Sequence, residues 1–125
     1  MKLRNIVSEE VIKASSGGTY DDLESPPVEP GTILEITHVA VENQTTAYTR
    51  LTIGVADGTS FKEKEEEDSP PADDIFWTRS KLWVRPGSRL RARLTGCTSG
   101  DVLHLVYEGI LYDTLEAGGR YARNR

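Results

Sequence analysis

The chain has 125 residues and a formal net charge of -5, which fits a single domain with one hydrophobic core. Its only cysteine, Cys97, excludes an internal disulfide, and we expect this residue in a turn or in the core. The N-terminal sequence lacks the apolar region of a signal peptide, and no apolar run approaches the roughly 18 residues of a membrane helix. These features predict a soluble protein made in the cytoplasm.

Residues 1–30 are predicted to form an extended N-terminal arm. Much of this segment reads ASSGGTYDDLESPPVEPG, which is rich in Gly, Ser, Pro and acidic residues. Two apolar clusters interrupt it, Ile6 with Val7 and Val11 with Ile12. Each cluster suits either an edge strand or docking on a neighbouring molecule.

From residue 31 onward the pattern is that of β-strands. The sequence GTILEITHVAVEN is rich in β-branched residues and alternates, and strict alternation places Ile33 and Val39 on one face and Leu34 and Ile36 on the other. The sequence YTRLTIGVADGTSF alternates again. Its Asp57-Gly58 pair predicts a two-residue hairpin turn.

The next segment is strongly acidic. Residues 63–74 hold seven acids and one lysine, and we predict a flexible, solvated loop. Adjacent carboxylates on a loop are not held in the distinct, rigid environments that general acid–base catalysis requires. A calcium site in this loop stays open as an alternative, although the regular spacing of a calcium-binding loop is missing.

The sequence DIFWTRSKLWV then predicts one or two strands. In extended conformation Trp77 and Trp83 share a face with Ile75, while Phe76 and Leu82 take the opposite face. We expect this aromatic segment to pack in the core, although either tryptophan could be exposed. Three aromatic residues within eight positions also suit a surface that binds sugars, so Trp77 and Trp83 are candidate ligand-binding residues.

The last part of the chain contains two turns and two strands. Residues 85–88, RPGS, fit a type II turn, and the strand RLRARL follows with Leu90, Ala92 and Leu94 predicted to face inward. The turn GCTSGD leads into VLHLVYEGILYD, which we expect to bend or bulge at Gly109. Residues 114–125 are predicted to form a C-terminal tail.

Together these signals predict six to eight strands of similar length and no convincing amphipathic helix. The fold class is therefore all-β. We predict a two-sheet antiparallel β-sandwich of jelly-roll type over residues 31–113, with extended N-terminal and C-terminal arms at residues 1–30 and 114–125.

Two neighbouring blocks carry opposite charge. Residues 63–74 sum to -6, and residues 79–93 hold six cations and no acid. Alternation on a half-buried strand explains the spacing of Arg89, Arg91 and Arg93, but a mixed-charge surface would be the default. Complementary blocks of this kind can pair between subunits and set their register.

Signals for chemistry are sparse. The stretch GTILEITHVAVE, which contains His38, is similar to the first motif of cupins, but Ile36 stands where a second histidine is needed and no histidine follows the RPGS turn. The other histidine, His104, lies on the last predicted strand. No nucleophile elbow or phosphate-binding loop is present, and the acidic balance argues against nucleic-acid binding. We predict no catalytic residue, metal ligand or cofactor, and therefore no enzyme.

The segments GTILEITHVAVENQTTAYTRLTIGV and LWVRPGSRLRARLTGCTSGDVLHLVYEGILYD resemble small β-sandwich proteins of tailed-phage particles. The shared pattern is V-x-P-G-x-x-L-x-A-x-L, then S-G-D-V-L-x-L and an aromatic-glycine strand, over residues 31–112. The resemblance implies a non-enzymatic virion protein that decorates capsids or forms collars or tail junctions. Such proteins act through homo-oligomers and extended arms.

We therefore expect a capsid decoration (cement) protein, made in the host cytoplasm and located in the virion. Its expected partners are its own copies and a major capsid or other virion protein, without nucleic acid or membrane. A collar or head–tail protein and a carbohydrate-binding module remain alternatives. The predicted assembly interface comprises Arg85, Arg89, Arg91, Arg93, Glu63, Glu65, Glu66, Glu67, Asp68, Ile6, Val7, Val11 and Ile12.

Overall fold

A computed structural model describes residues 2–78, 80–116 and 120–121. This part of the chain forms strands connected by turns and contains no helix, which confirms the predicted all-β class. The strands are β1 (Lys2–Ala14), β2 (Tyr20–Glu24), β3 (Thr32–Asn43), β4 (Arg50–Asp57), β5 (Ser60–Asp68), β6 (Phe76–Thr78), β7 (Leu82–Val84), β8 (Arg89–Thr95), β9 (Val102–Asp113), β10 (Leu115–Glu116) and β11 (Arg120–Tyr121).

The strands build two antiparallel sheets. Sheet I has the order β1-β9-β3-β6, with β7 also paired to β3, and sheet II has the order β2-β8-β4-β5. The chain passes between the sheets at most connections, which is the arrangement of a jelly roll. The predicted two-sheet sandwich is confirmed. A short hairpin of β10 and β11 follows β9.

Both strands of the N-terminal segment pair with strands of their own chain. β1 runs antiparallel to β9, from Lys2 opposite Asp113 to Ala14 opposite Val102, and β2 pairs with β8. The segment is thus extended, and β1 and β2 are edge strands of the two sheets. Residues 117–119 and 122–125 of the predicted C-terminal tail lie outside the described residues.

The core lies between the two sheets and consists of alternate residues of the central strands. On β8 the inward residues Leu90, Ala92 and Leu94 are fully buried, as predicted. β9 contributes in the same alternating way, and β4 contributes Leu51 and Ile53. The largest fully buried apolar side chains are Leu23, Ile36, Leu51, Ile53, Leu90, Leu94, Leu103, Leu105, Val39, Val41 and Val84.

β3 departs from the strict alternation that the sequence suggests. Ile36 lies opposite Gly109 and His38 lies opposite Glu108, so Thr37 is an extra residue that forms a β-bulge. The bulge shifts the alternation by one position. Ile36 and Val39 therefore both face the core, and the prediction that they occupy opposite faces was wrong.

The irregularity predicted at Gly109 lies at this bulge, but the extra residue belongs to the partner strand. A Cβ atom on Gly109 would lie 2.3 Å from the backbone oxygen of Glu35. Glycine is required here because the two backbones approach so closely.

One predicted turn is confirmed, and a second lies one residue later than predicted. The Ser88 amide donates to the Arg85 oxygen at 3.0 Å and Gly87 has φ of 84°, as in a type II turn. In the β4–β5 hairpin Asp57 pairs with Ser60. The two loop residues are thus Gly58 and Thr59, one position later than predicted, with φ of 61° at Gly58.

Candidate assembly surfaces

The arginine row lies on the outer surface of sheet II. Arg89, Arg91 and Arg93 point away from the core on β8, because the residues between them fill the interior. Arg91 and Arg93 are nevertheless only partly exposed. The row is therefore covered by neighbouring side chains.

The partners of the arginine row come from β2 of the same chain. The antiparallel register places Asp22 opposite Arg93 and Glu24 opposite Arg91. The Arg91 Nε atom donates to Glu24 at 2.6 Å, and Arg93 donates to both oxygens of Asp22 at 2.8 and 3.1 Å. The hydrogen bond to Asp22 raises the pKa of Arg93. We call this arrangement the arginine ladder.

Two aromatic rings complete the arginine ladder. The guanidinium carbon of Arg93 lies 3.8 Å from the Tyr20 ring centroid. The Phe61 ring lies 5.1 Å from the guanidinium carbons of both Arg91 and Arg93. Such cation–π contacts stabilise a positive row on a protein surface. Arg89, whose Nη1 atom lies 3.7 Å from Glu24, is the most exposed member.

The acidic segment is only in part the loop that we predicted. Residues 60–68 form edge strand β5, which pairs with β4 except at the bulge residue Lys64, and residues 69–74 lie in the connection that follows. Charged residues on the outer strand of a sheet are a common protection against unwanted strand pairing, which explains a strand of this composition. Glu66 binds Arg50 at 2.5 Å, and Glu65 accepts a hydrogen bond from Ser80 at 2.7 Å.

Within one chain the two oppositely charged blocks are separated by β4. This strand lies between β8 and β5 in sheet II, so the arginine row and the acidic strand are about 10 Å apart at ordinary strand spacing. The predicted pairing of Glu63, Glu67 and Asp68 with an arginine row of another copy stays a prediction. Arg85 lies in the exposed turn before β8, and Arg79 is outside the described residues.

The outer surface of sheet I carries most of the exposed large hydrophobic side chains, with exposed Glu10 and Glu108 among them. Pairing of β1 with β9 aligns Leu3 with Tyr112 and Ile6 with Ile110 on this side. We call this surface the apolar face. Among the described residues, it holds seven of the eight large hydrophobic side chains that are exposed, namely Leu3, Ile6, Ile12, Ile75, Trp77, Trp83 and Val102.

The N-terminal apolar clusters are divided between the two sides of β1. Ile6 and Ile12 are exposed on the apolar face, at 72% and 62% of their surface. Val7 and Val11 point inward and pack against the core. Each cluster thus places one residue on the apolar face and the other against the core.

The two tryptophans also lie on the apolar face. Trp77 is 53% exposed and Trp83 is 42% exposed, which confirms that they share a side and corrects the expectation that one of them is core. Trp83 lies 6.1 Å from the Tyr112 ring, and His38 contacts Trp77 edge-on at 5.4 Å. Tyr112 escaped the sequence analysis, although the alternation of the last strand places it on the outer side.

The remaining reactive groups have structural partners. His104 lies 2.7 Å from Glu10. Cys97 is buried, and burial raises the pKa of its thiol to about 11, although a hydrogen bond with Asn43 acts in the opposite direction. In the described part of the chain no group of three or more His, Cys, Asp or Glu side chains is arranged to hold a metal ion. A helix long and apolar enough to cross a membrane is likewise absent from the described residues.

No family model matches the chain, and no curated protein matches it. Among solved structures, a Bacillus endospore appendage protein of a family of disulfide-linked pili is 13% identical, with 86% of this chain and 88% of that chain covered and a TM-score of 0.47. The N-terminal cellulose-binding domain of Cellulomonas fimi β-1,4-glucanase C is 11% identical, with 86% and 80% covered and a TM-score of 0.40. A pentameric capsid protein from metagenomic phage sequences is 14% identical, with 96% and 68% covered and a TM-score of 0.39. At these values the similarity concerns the fold alone.

Proposed function

We propose that this chain is a non-enzymatic structural protein of a phage or phage-like particle, and within that class a capsid decoration protein. The observation that carries the proposal is the apolar face. Soluble monomers rarely expose large contiguous apolar patches, and such patches mark interaction sites. On this chain almost all large exposed hydrophobic side chains of the described residues lie on that single side.

The size of the apolar face suits a stable protein interface. β9 and β3 each have 12 residues, which corresponds to a length of about 40 Å. Four strands side by side span about 20 Å. The outline of the sheet is thus about 800 Å², which is large enough to hold the surface that one partner contributes to a standard protein–protein interface. We propose the outer surface of a capsid subunit as the occupant.

The opposite side of the sandwich supports the same proposal. The arginine ladder pairs its cations with Asp22 and Glu24 inside the chain, so sheet II is a charged surface whose arginine row is balanced within the chain. A protein with one apolar and one charged side can bind a particle with the first and face water with the second. Jelly rolls occur in viral capsids and also in lectins, so the fold by itself does not decide the function.

Cosedimentation with particles tests this function. The purified protein should sediment with phage-like particles from the source of the sequence, and the variant Ile6→Ser/Trp77→Ser should remain in the supernatant. The matched control is Tyr20→Ser, which removes an exposed aromatic side chain from sheet II. This control should sediment like the unaltered protein. Particles that fail to retain the unaltered protein, or that retain the apolar-face variant equally well, would contradict the proposal.

The position of the bound protein on the particle separates the decoration role from the collar or head–tail role. We place this virion protein on the capsid surface, after its synthesis in the host cytoplasm. Electron microscopy of particles mixed with gold-labelled protein should show label over the whole head. Label confined to the neck or tail would favour a collar or head–tail protein instead.

The exposed aromatic residues favour carbohydrate binding as a second candidate function. The ring centroids of Trp83 and Tyr112 are 6.1 Å apart. The Tyr112 hydroxyl donates a hydrogen bond to Glu35 at 2.9 Å, and Glu35 lies 2.7 Å from the Lys81 Nζ atom. Sugar rings stack on such aromatic surfaces while polar groups hydrogen-bond their hydroxyls. Calorimetric titration with soluble β-glucan oligosaccharides should then give heat that Trp83→Ala abolishes. Absence of heat with the unaltered protein rules out this candidate for these sugars.

A further inference from the structure

One open edge of the sandwich carries an acidic groove. It lies between β1 of sheet I and the segment that follows β2 of sheet II, with a volume of about 610 Å³. Its floor is apolar and includes Val7, Val11 and Tyr107. Its charged residues are the four glutamates Glu9, Glu10, Glu24 and Glu29 and one arginine, Arg89.

The opposite open edge carries a basic groove. This groove lies between the β4–β5 hairpin of sheet II and β7 of sheet I, with a volume of about 380 Å³. Leu82 and Trp83 contribute apolar surface. Its charged residues are the four cations Lys62, Lys64, Lys81 and Arg85 and one acid, Asp57.

Much of this charge has no counterion within the chain. In the basic groove Lys81 pairs with Glu35, whereas Lys62, Lys64 and Arg85 make no ion pair with any described residue. In the acidic groove Glu24 belongs to the arginine ladder, and Glu29 is 3.9 Å from Arg4. Glu9 has no ion-pair partner in the described part of the chain, and Glu10 reaches only His104.

We propose that the chain assembles head to tail, with the acidic groove of one copy seated against the basic groove of the next. The two grooves have opposite charge, each has some apolar lining, and they lie at opposite edges of one sandwich. Contacts between two different surfaces of identical subunits generate rings or filaments. The inference deepens the proposed function and rests on it, since it treats the chain as an assembly subunit.

The geometry leaves most of the apolar face free in such an assembly, since among the described residues Trp83 is the one exposed hydrophobic residue of that face that also lines a groove. The grooves lie along the edges of the sheets, whereas the apolar face is the broad outer surface of sheet I. Copies joined edge to edge would therefore present their apolar faces side by side. Neighbouring faces would bind a particle together, and their combined affinity would exceed that of a single copy.

Charge reversal tests the head-to-tail contact. Light scattering at low salt should give a mass several times that of one 13.9 kDa chain, and high salt should lower it, because salt screens exposed charges. Glu9→Lys/Glu10→Lys makes both grooves basic, and Lys62→Glu/Lys64→Glu makes both acidic. Each variant alone should have the mass of a single chain at low salt.

Combining the two charge-reversed variants provides the decisive observation. An equimolar mixture of the two variants, or one chain that carries all four substitutions, restores complementary grooves and should restore the larger mass. The control Asp74→Lys/Glu108→Lys has the same change in net charge as Glu9→Lys/Glu10→Lys, but outside both grooves, and should assemble like the unaltered protein. Circular dichroism verifies that each variant is folded.

Two outcomes would overturn the inference. One is a single-chain mass for the unaltered protein at low salt, and the other is an unchanged mass for both reversal variants. Neither outcome affects cosedimentation with particles, which tests the proposed function separately. A protein that sediments with particles but is monomeric in solution would thus keep its function and lose the head-to-tail contact.

Discussion

Asp101 joins the end of β3 to the beginning of β9 through a single buried carboxylate. Its Oδ2 atom accepts hydrogen bonds from Asn43 Nδ2 at 2.9 Å, Thr46 Oγ1 at 2.5 Å and the Thr98 amide at 2.8 Å. Burial by itself raises the pKa of Asp101, but these hydrogen bonds outweigh it and hold the pKa below the ordinary 3.8. The folded protein therefore prefers the ionised carboxylate.

We predict that Asp101→Asn lowers stability at neutral pH by about 1.5–3 kcal/mol, the range for hydrogen bonds to charged groups. Since the folded pKa lies below the unfolded one, the stabilisation by Asp101 is complete above the unfolded pKa and disappears as the pH falls through the folded pKa. Urea unfolding at neutral pH and at about pH 3 should show a smaller difference between variant and unaltered protein in acid.

Asp21 provides the internal reference for this experiment. Its pKa responds first to burial, which raises it, and then to hydrogen bonds from Ser15 and Ser16, which lower it below the ordinary value. The Asp101→Asn variant keeps this second acid-sensitive group, so some loss of stability in acid should persist. An equal loss of stability at both pH values in the variant would contradict the role assigned to Asp101.

The sequence did not reveal the Asp101 cluster. The Asn43 and Asp101 side chains are 58 positions apart and come together only because β3 and β9 pair. An Asp in the turn GCTSGD looks like an ordinary turn residue. The exposure of both tryptophans escaped prediction for a related reason, since alternation states which residues share a face but not which face is covered.

At the scale of elements, central strands such as β8 followed from local sequence, and the edge strands β2 and β5 did not. β8 and β4 have inward apolar residues at every second position, so their alternation determines their orientation. β5 is the outermost strand of sheet II and carries charged residues at successive positions. Its amino-acid composition is therefore that of a typical loop. The bulge at Thr37 is equally hidden, because one inserted residue leaves the composition of β3 unchanged.

Gly109 provides the test at this scale. In Gly109→Ala the new Cβ atom would meet the Glu35 oxygen at 2.3 Å, so the backbones of β3 and β9 must separate. We expect a loss of about 1–3 kcal/mol, as for other overpacked positions, measured by chemical unfolding. Gly18→Ala is the control, since its Cβ atom would find ordinary space beside Ser16 at 3.5 Å. Equal unfolding midpoints for the two variants would contradict the close approach.

At the scale of the whole molecule, the apolar face carries both tryptophans, while the buried aromatic residues are Tyr48 and Tyr107. We predict that unfolding changes the tryptophan emission maximum only slightly, because the indoles are already in contact with water in the folded state. Covering the apolar face with a partner should shift the emission to shorter wavelength. Far-ultraviolet circular dichroism follows unfolding independently, and a large red shift at its midpoint would show that the indoles are buried.

The pairing of β1 with β9 also imposes an order in time. Because Lys2 lies opposite Asp113, the first strand to be synthesised has no partner until nearly the last strand has been made. At ordinary rates of translation that interval is roughly 5–20 seconds. β3 also waits for β9, its neighbour in the middle of sheet I. Sheet I therefore cannot close before β9 has emerged from the ribosome.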